Sequence, residues 1–244
     1  MLDHRGNLLP VYMVADESGS MRPWVDELND GLATLHAALL AEPMAAAKVR
    51  FTILGFSDTV VEYVRLADLR NERDLPPLRI RKETHYGAVF ADLESRIPRD
   101  VQTLKDELYQ VHRPAVFFLT DGRPSDGPAW LESHRRLTDQ TLNPAAPNVV
   151  ACGIGKTDAS TVLELATRPE FAFVSIPGMS VGMAVARFCA ALTKSVVESG
   201  RSLSMGQAAL VVELEDGLRA LSRYSVAYQP GDARVAVTRQ RFFA

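Results

Sequence analysis

Asp16, Ser18 and Ser20 stand at alternate positions in the stretch Val11-Tyr12-Met13-Val14-Ala15-Asp16-Glu17-Ser18-Gly19-Ser20-Met21, where a long apolar run stops abruptly. Carboxylate and hydroxyl oxygens are hard ligands. They suit Mg²⁺ or Mn²⁺ better than zinc, which prefers nitrogen and sulfur. On a tight turn the three side chains could converge on one point beside a helix N-terminus. The same residues have a plainer use, since an acid can simply end a strand and a serine can cap the helix that follows. Both readings stay open from this stretch alone, and oxygens elsewhere in the chain must decide between them.

The elements that would position these groups follow from periodicity. Leu8 to Ala15 is almost continuously apolar, as a parallel strand covered on both faces must be. Asp16 then lies at the strand's carboxyl end, where open α/β sheets place their ligands. From Pro23, the residues Val25, Leu28, Leu32, Leu35 and Leu39 recur at helical steps, predicting a helix over Pro23–Ala41 that ends at Glu42-Pro43. Lys48–Phe56 and Val60–Leu66 are β-branched and aromatic, and the short Ser57-Asp58-Thr59 link makes them an antiparallel edge hairpin with Asp58 as a turn former. The segment 69–83, with Pro76-Pro77, reads as a loop returning across the domain. Thr84 stands just before a helix reaching at least Arg96. A further helical pattern runs through Leu104, Leu108 and Val111, either as a continuation or as a separate helix after Pro98.

A second buried strand, Ala115–Thr120, again closes on an acid, Asp121, followed by Gly122 and a polar loop over Arg123–Pro128. Then come a helix over Trp130–Leu142, a strand over Asn148–Ile154, a helix over Asp158–Thr167, a short strand over Phe171–Ile176 and a helix over Met183–Val197. This alternation predicts a doubly wound α/β fold. Its sheet is mostly parallel, with one antiparallel edge hairpin and helices on both faces. Residues 1–200 form the domain in this reading. Residues 201–244 are an extension packed on the domain or on a partner, with strand-like character at Ala208–Leu214 and Arg234–Thr238, turns at Asp216-Gly217 and Pro230-Gly231-Asp232, and an apolar, basic end over Arg239–Phe243.

Composition narrows the partners. The chain of 244 residues is 47% hydrophobic, enough for one substantial core. Its 27 Lys and Arg against 30 Asp and Glu give a net charge of −3, which makes no electrostatic case for nucleic acid or an anionic membrane. The N-terminus has no apolar signal region, and the later apolar stretch Val181–Val197 is broken by Arg187 and Lys194. Cys152 and Cys189 lie far apart in apolar surroundings and read as buried free thiols. These features together predict a cytoplasmic protein.

Other motifs fail on inspection. Gly178-Met179-Ser180-Val181-Gly182 matches a nucleophile elbow, but that chemistry needs a downstream histidine and all five precede Ser180. A turn with a helix-capping serine is expected there instead. Gly153-Ile154-Gly155-Lys156-Thr157 imitates a phosphate loop, yet Val150 stands where the first glycine belongs, leaving a tight turn. An aspartyl-phosphate enzyme needs a second acid two residues after its Asp, and Ser18 occupies that place. His85 reads as a surface-loop residue.

Asp16-x-Ser18-x-Ser20, a separate Thr84 and Thr120-Asp121-Gly122 resemble the metal-ion-dependent adhesion site of von Willebrand factor type A (vWA) domains, the resemblance extending over Leu8 to Val197 in strand and helix order. The nearest in kind are bacterial intracellular proteins of tellurite-resistance and stress loci. The resemblance implies an Mg²⁺ or Mn²⁺ site formed by Asp16, Ser18, Ser20, Thr84 and Asp121, directly or through water, which accepts a Glu or Asp of a partner protein. It implies a non-enzymatic interaction module. The departure is at Thr84, preceded here by Lys82-Glu83 where the family often has glycines. The alternative is a metal-dependent phosphoryl hydrolase using Asp16 and Asp121.

Overall fold

A computed structural model describes residues 5–207 and 210–221, together with the backbone of 235–238. The elements in chain order are β1 (Gly6–Asp16), α1 (Val25–Ala41), the single turn α2 (Pro43–Ala46), β2 (Val49–Phe56), β3 (Val60–Ala67), α3 (Tyr86–Asp106), β4 (Tyr109–Val111), β5 (Ala115–Thr120), α4 (Trp130–Thr138), β6 (Asn148–Gly153), α5 (Ala159–Leu165), β7 (Ala172–Ser175), α6 (Val181–Ser204), β8 (Leu210–Glu213), β9 (Leu218–Ala220) and β10 (Val235–Thr238). The main sheet has the order β3-β2-β1-β5-β6-β7-β9, and β4 pairs in parallel with the start of β1. From β2 to β7 every pairing is parallel, while β3 and β9 run antiparallel at the two edges. The expected mostly parallel, doubly wound α/β sheet with an edge hairpin is therefore present, and β9 adds a second antiparallel edge.

The period of two along β1 sorts its side chains between two cores. Val11, Met13 and Ala15 join Leu28 and Leu32 of α1 and Phe188 and Leu192 of α6 on one face. Tyr12 and Val14 join Phe118 and, from α3, α4 and α5, Phe90, Trp130 and Val162 on the other. Each such fully buried apolar side chain contributes roughly 1.5–3 kcal/mol of transfer free energy. Buried on both sides, β1 and β5 are held rigidly, and so are the residues at their carboxyl ends.

Several boundaries differ from the sequence reading, each for a local reason. A 3-10 turn, Gly19–Trp24, precedes α1, so the α-helix starts at Val25 rather than Pro23. α3 is one helix through Pro98 and stops at Asp106. The chain then passes through Leu108 at φ 68°, which ends the helix before Val111 and lets Tyr109–Val111 pair with β1. α4 is shorter than expected because the Asp139 carboxylate accepts from Thr141 N at 2.8 Å and turns the chain. α6 is longer, crossing position 200 to reach Ser204, and Ser180 caps it by accepting from Met183 N at 3.3 Å. Gly155 takes φ 63° in the tight turn after β6.

Beyond α6, β8 lies along that helix. Ser199 Oγ accepts from Val211 N and Ser195 Oγ from Glu213 N, both at 2.8 Å, so helix hydroxyls satisfy one edge of the strand. β10 pairs with β8, and β9 with β7. The turn expected at Pro230-Gly231-Asp232 and the basic end at Arg239–Phe243 lie outside the described residues. No helix among the described residues is long and apolar enough to cross a membrane.

Candidate metal centre

β1 and β5 are neighbours, with Ala15 paired to Leu119, so their terminal acids Asp16 and Asp121 arrive side by side at the carboxyl edge. The serines close the gap between them. Ser18 Oγ and Ser20 Oγ are 3.0 Å apart, and Ser20 Oγ donates to Asp121 Oδ1 at 2.8 Å. Asp16 Oδ1 accepts from Ser18 N at 2.9 Å and Asp16 Oδ2 accepts from Thr120 Oγ1 at 2.8 Å.

The capping alternative for the serines can now be decided. Ser18 precedes the 3-10 turn with no side-chain capping bond, and α1 itself begins after Trp24, again with none. The serine hydroxyls are spent on each other and on Asp121, not on helix amides.

Thr84 reaches the same edge from the loop before α3. Its Oγ1 would lie 4.0 Å from a Cβ built on Gly122, which puts it beside the Asp121-Gly122 turn. Its backbone is clamped from that side: Ser125 N and Ser125 Oγ both donate to Thr84 O at 2.9 Å. Asp126 completes the clamp, accepting from Tyr86 N at 3.2 Å and Gly87 N at 2.6 Å at the start of α3. Gly87 leaves room for this approach, since a Cβ there would sit 2.8 Å from Asp126 Oδ2 and the carboxylate would have to shift. From the other side, Ser57 Oγ accepts from Glu83 N at 2.9 Å and donates to Glu83 O at 2.7 Å.

Tyr86, Glu17, Tyr63 and Arg81 escaped the sequence reading as contributors. Tyr86 OH donates to Thr120 Oγ1 at 3.0 Å, forming a buried relay Tyr86–Thr120–Asp16. Glu17 is buried against Gly55, where any Cβ would collide with its carboxylate. Tyr63 OH donates to Glu17 Oε1 at 2.6 Å and Arg81 Nε to Oε2 at 2.9 Å, so Glu17 anchors the returning loop. Those two partners of Glu17 are 46 and 64 residues away from it in sequence, beyond any local pattern. Asp58 is exposed at the hairpin tip, and His85 Nε2 lies 2.8 Å from Glu83 Oε2.

Asp16 is 1% exposed. Burial pushes its carboxyl up from 3.8 to about 6, the bonds from Ser18 and Thr120 pull it down, and the Asp121 charge adds to the rise. Asp121 is also raised, chiefly by burial. No ion pair of the described residues reaches either acid, so two close carboxylates share a site without a cation. The donor set suits a hard divalent ion: two carboxylates and hydroxyls, with no thiolate. Among the described residues no three His, Cys, Asp or Glu side chains gather as a metal cluster, so the oxygens available beside the two carboxylates are hydroxyls.

An open, doubly wound α/β sheet carrying an oxygen-rich site at the carboxyl ends of its central strands defines the class. Solved structures make it more particular. The pilus adhesin SpaC from Lactobacillus rhamnosus GG, in its open conformation, superposes with a TM-score of 0.62 at 13% identity over 80% of this chain and 31% of its own. Proximal thread matrix protein 1 from the mussel byssus, in a structure with a zinc-occupied MIDAS motif, gives 0.56 at 13% identity over 79% of this chain and 48% of its own. A von Willebrand factor type A protein from Catenulispora acidiphila gives 0.51 at 12% identity over 78% and 43%. The chain spans less than half the length of each. Protein-family models and curated proteins give no match. The fold is the Rossmann-like fold of a vWA domain.

Proposed function

We propose that the protein is a vWA-type interaction module in which Asp16, Ser18, Ser20, Thr84 and Asp121 hold a divalent ion, Mg²⁺ or Mn²⁺, and a Glu or Asp of a partner protein is the outside ligand. The observation that carries this is Asp16, fully buried beside Asp121 with no cation among the described residues. Burying an uncompensated charge costs several kcal/mol, and a cation from outside removes that cost. When bound, the ion supplies a Lewis-acidic position for an anionic oxygen. Ser18 and Ser20 contribute neutral oxygens, which leave that position electron-poor. Thr120 and Tyr86 hold Asp16 in orientation. The zinc-occupied motif of the mussel protein supports a divalent ion at this edge.

A phosphoryl hydrolase using Asp16 and Asp121 is the second reading. The rise of Asp16 to about 6 favours it, since acid–base work needs a carboxyl that titrates near neutrality. Against it, Ser18 stands where the second acid belongs and His85 is engaged by Glu83. We therefore assign binding without catalysis. Turnover of a generic phosphate ester that disappears in Asp16→Asn would reverse that assignment. On sequence resemblance to the tellurite-resistance and stress proteins we assign the module to the bacterial cytoplasm, a compartment in which the buried free Cys152 and Cys189 stay reduced.

Calorimetric titration of Mg²⁺ and Mn²⁺ into metal-stripped protein, beside the double variant Ser18→Ala, Ser20→Ala, tests the site. Saturable binding that vanishes in the variant is expected. Heats identical for both proteins, or absent from both, remove the ion from the proposal.

A further inference from the structure

Beyond β7 the carboxyl edge of the sheet carries apolar surface open to solvent. Ile176 is 41% exposed, Met183 is 53% exposed, and Pro177 is exposed with them. A turn over residues 215–218, closed by Leu218 N donating to Glu215 O at 3.1 Å, lies against this surface. Ile176 N donates to Gly217 O at 3.0 Å, and a Cβ on Gly217 would collide with Met179 Cε and lie 3.9 Å from Arg187 Cγ. Met183 stands four residues before Arg187 in α6, on the same helix face. Glu213, Glu215 and Asp216 are matched around the turn by Arg187, Lys194 and Arg219, so charge selects no occupant there and apolar area does.

The backbone shows which segment arrives there. Val211 N donates to Ser199 Oγ and Glu213 N to Ser195 Oγ, so β8 runs back along α6 toward that helix's first turn. β10 is parallel to β8, with Thr238 opposite Glu213. The chain therefore leaves β10 toward the turn over residues 215–218, one strand spacing of about 4.8 Å to its side. Four residues lead from Glu213 to Gly217, and four lead from Thr238 to Phe242, so an extended chain carries Phe242 at least as far as Gly217 and Phe243 beyond it. Residues 239–243 lie outside the described residues, and Phe242-Phe243 is the apolar pair among them.

We propose that residues 239–243 continue past β10 along this turn and seat Phe242 and Phe243 on Ile176 and Met183, an intramolecular contact that covers the β7 end of the carboxyl edge. Each ring can bury roughly 150–250 Å², against two side chains that the rest of the fold leaves open. A tethered segment reaches the patch without the loss of translational freedom that a separate partner suffers. β7 stands two strands from β5, so the pair flanks the candidate metal centre without entering it, and the contact does not depend on an ion at Asp16.

The test uses the full chain with Asp216→Cys and Arg241→Cys, beside a control with Met44→Cys and Arg241→Cys. Met44 is 72% exposed in α2, just before β2 and so at the opposite end of the sheet. The native Cys152 and Cys189 are buried and stay out of the reaction. Under mild oxidation at low protein concentration the first pair should close a disulfide within one chain and the control should not. Adding Phe242→Ala and Phe243→Ala should slow that closure at least about tenfold, which a tether without a docking contact would not show. In the chain without engineered cysteines the same two alanines should speed hydrogen exchange of the Ile176 amide several-fold. Equal closure of both pairs, or closure or exchange indifferent to the alanines, overturns the proposal. Crosslinks between chains that fade on dilution overturn it in favour of a second copy on the patch.

Discussion

Two buried acidic regions meet at the end of β1 and are treated oppositely. Asp16 and Glu17 are consecutive and each 1% exposed. Glu17 points toward the edge hairpin, where the protein supplies its own cation, Arg81, with the Tyr63 hydroxyl and the Arg79 amide completing the set. Deeper in the same fold, Asp100 is likewise satisfied by Arg65 Nη2 at 2.9 Å and Tyr12 OH at 3.0 Å. Asp16 receives only hydroxyl and amide donors and faces another carboxylate. Where a buried acid serves the fold, the chain neutralises it. Where it is left unneutralised, stability is the quantity given up.

The largest effect that would sharpen this contrast is Glu17→Ala, which strands the Arg81 guanidinium and the Tyr63 hydroxyl. A loss of about 3–5 kcal/mol in denaturant unfolding is expected. A loss below about 1 kcal/mol would mean that the anchoring loop is indifferent to Glu17. By contrast, Asp16→Asn in metal-free protein should stay within about 1 kcal/mol of the parent near neutral pH, because it removes a charge that nothing compensates. Divalent-ion binding should disappear in the same variant.

The pH dependence carries the same distinction. With its carboxyl raised from 3.8 to about 6, the folded metal-free protein binds more protons than the unfolded chain across that interval. Its stability should therefore fall as pH rises from 3.8 through about 6 and level off above, and Asp16→Asn should lack this slope. Ion binding has the opposite preference and should weaken as pH drops below about 6, since protons compete for Asp16. Calorimetric melts at stepped pH measure the first and titrations the second. The smallest effect belongs to Tyr86→Phe, which deletes the far end of the Thr120 relay. It should cost about 1 kcal/mol of stability and weaken the ion several-fold, and unchanged ion affinity would show that Thr120 orients Asp16 unaided.

The acids that close apolar strands were legible in the sequence. Continuous burial of β1 and β5 writes itself as an unbroken apolar run, and the acid after each run could be read as its carboxyl end. The edge hairpin was legible from the same kind of contrast. β4 and β9, three residues each, are too short to establish a period of two, and the ending of α3 depends on Leu108 adopting positive φ, which no apolar spacing announces. At the site, Thr84 is presented without preceding glycines because its support comes from Ser57, Ser125 and Asp126, all distant in sequence. The charge partner of Glu17 was invisible for the same reason: ion pairs across a sheet edge leave no local trace.

The grip of Asp126 on the first two amides of α3 has a kinetic corollary. The Tyr86 and Gly87 amide protons are held by a carboxylate from the loop that follows Asp121, so solvent takes them when the Asp126 side chain swings off the helix start or its loop lifts away. Their hydrogen-exchange times thus act as a clock for the release of that grip. A ligand that seats itself across both loops will slow that clock at two adjacent amides it never touches.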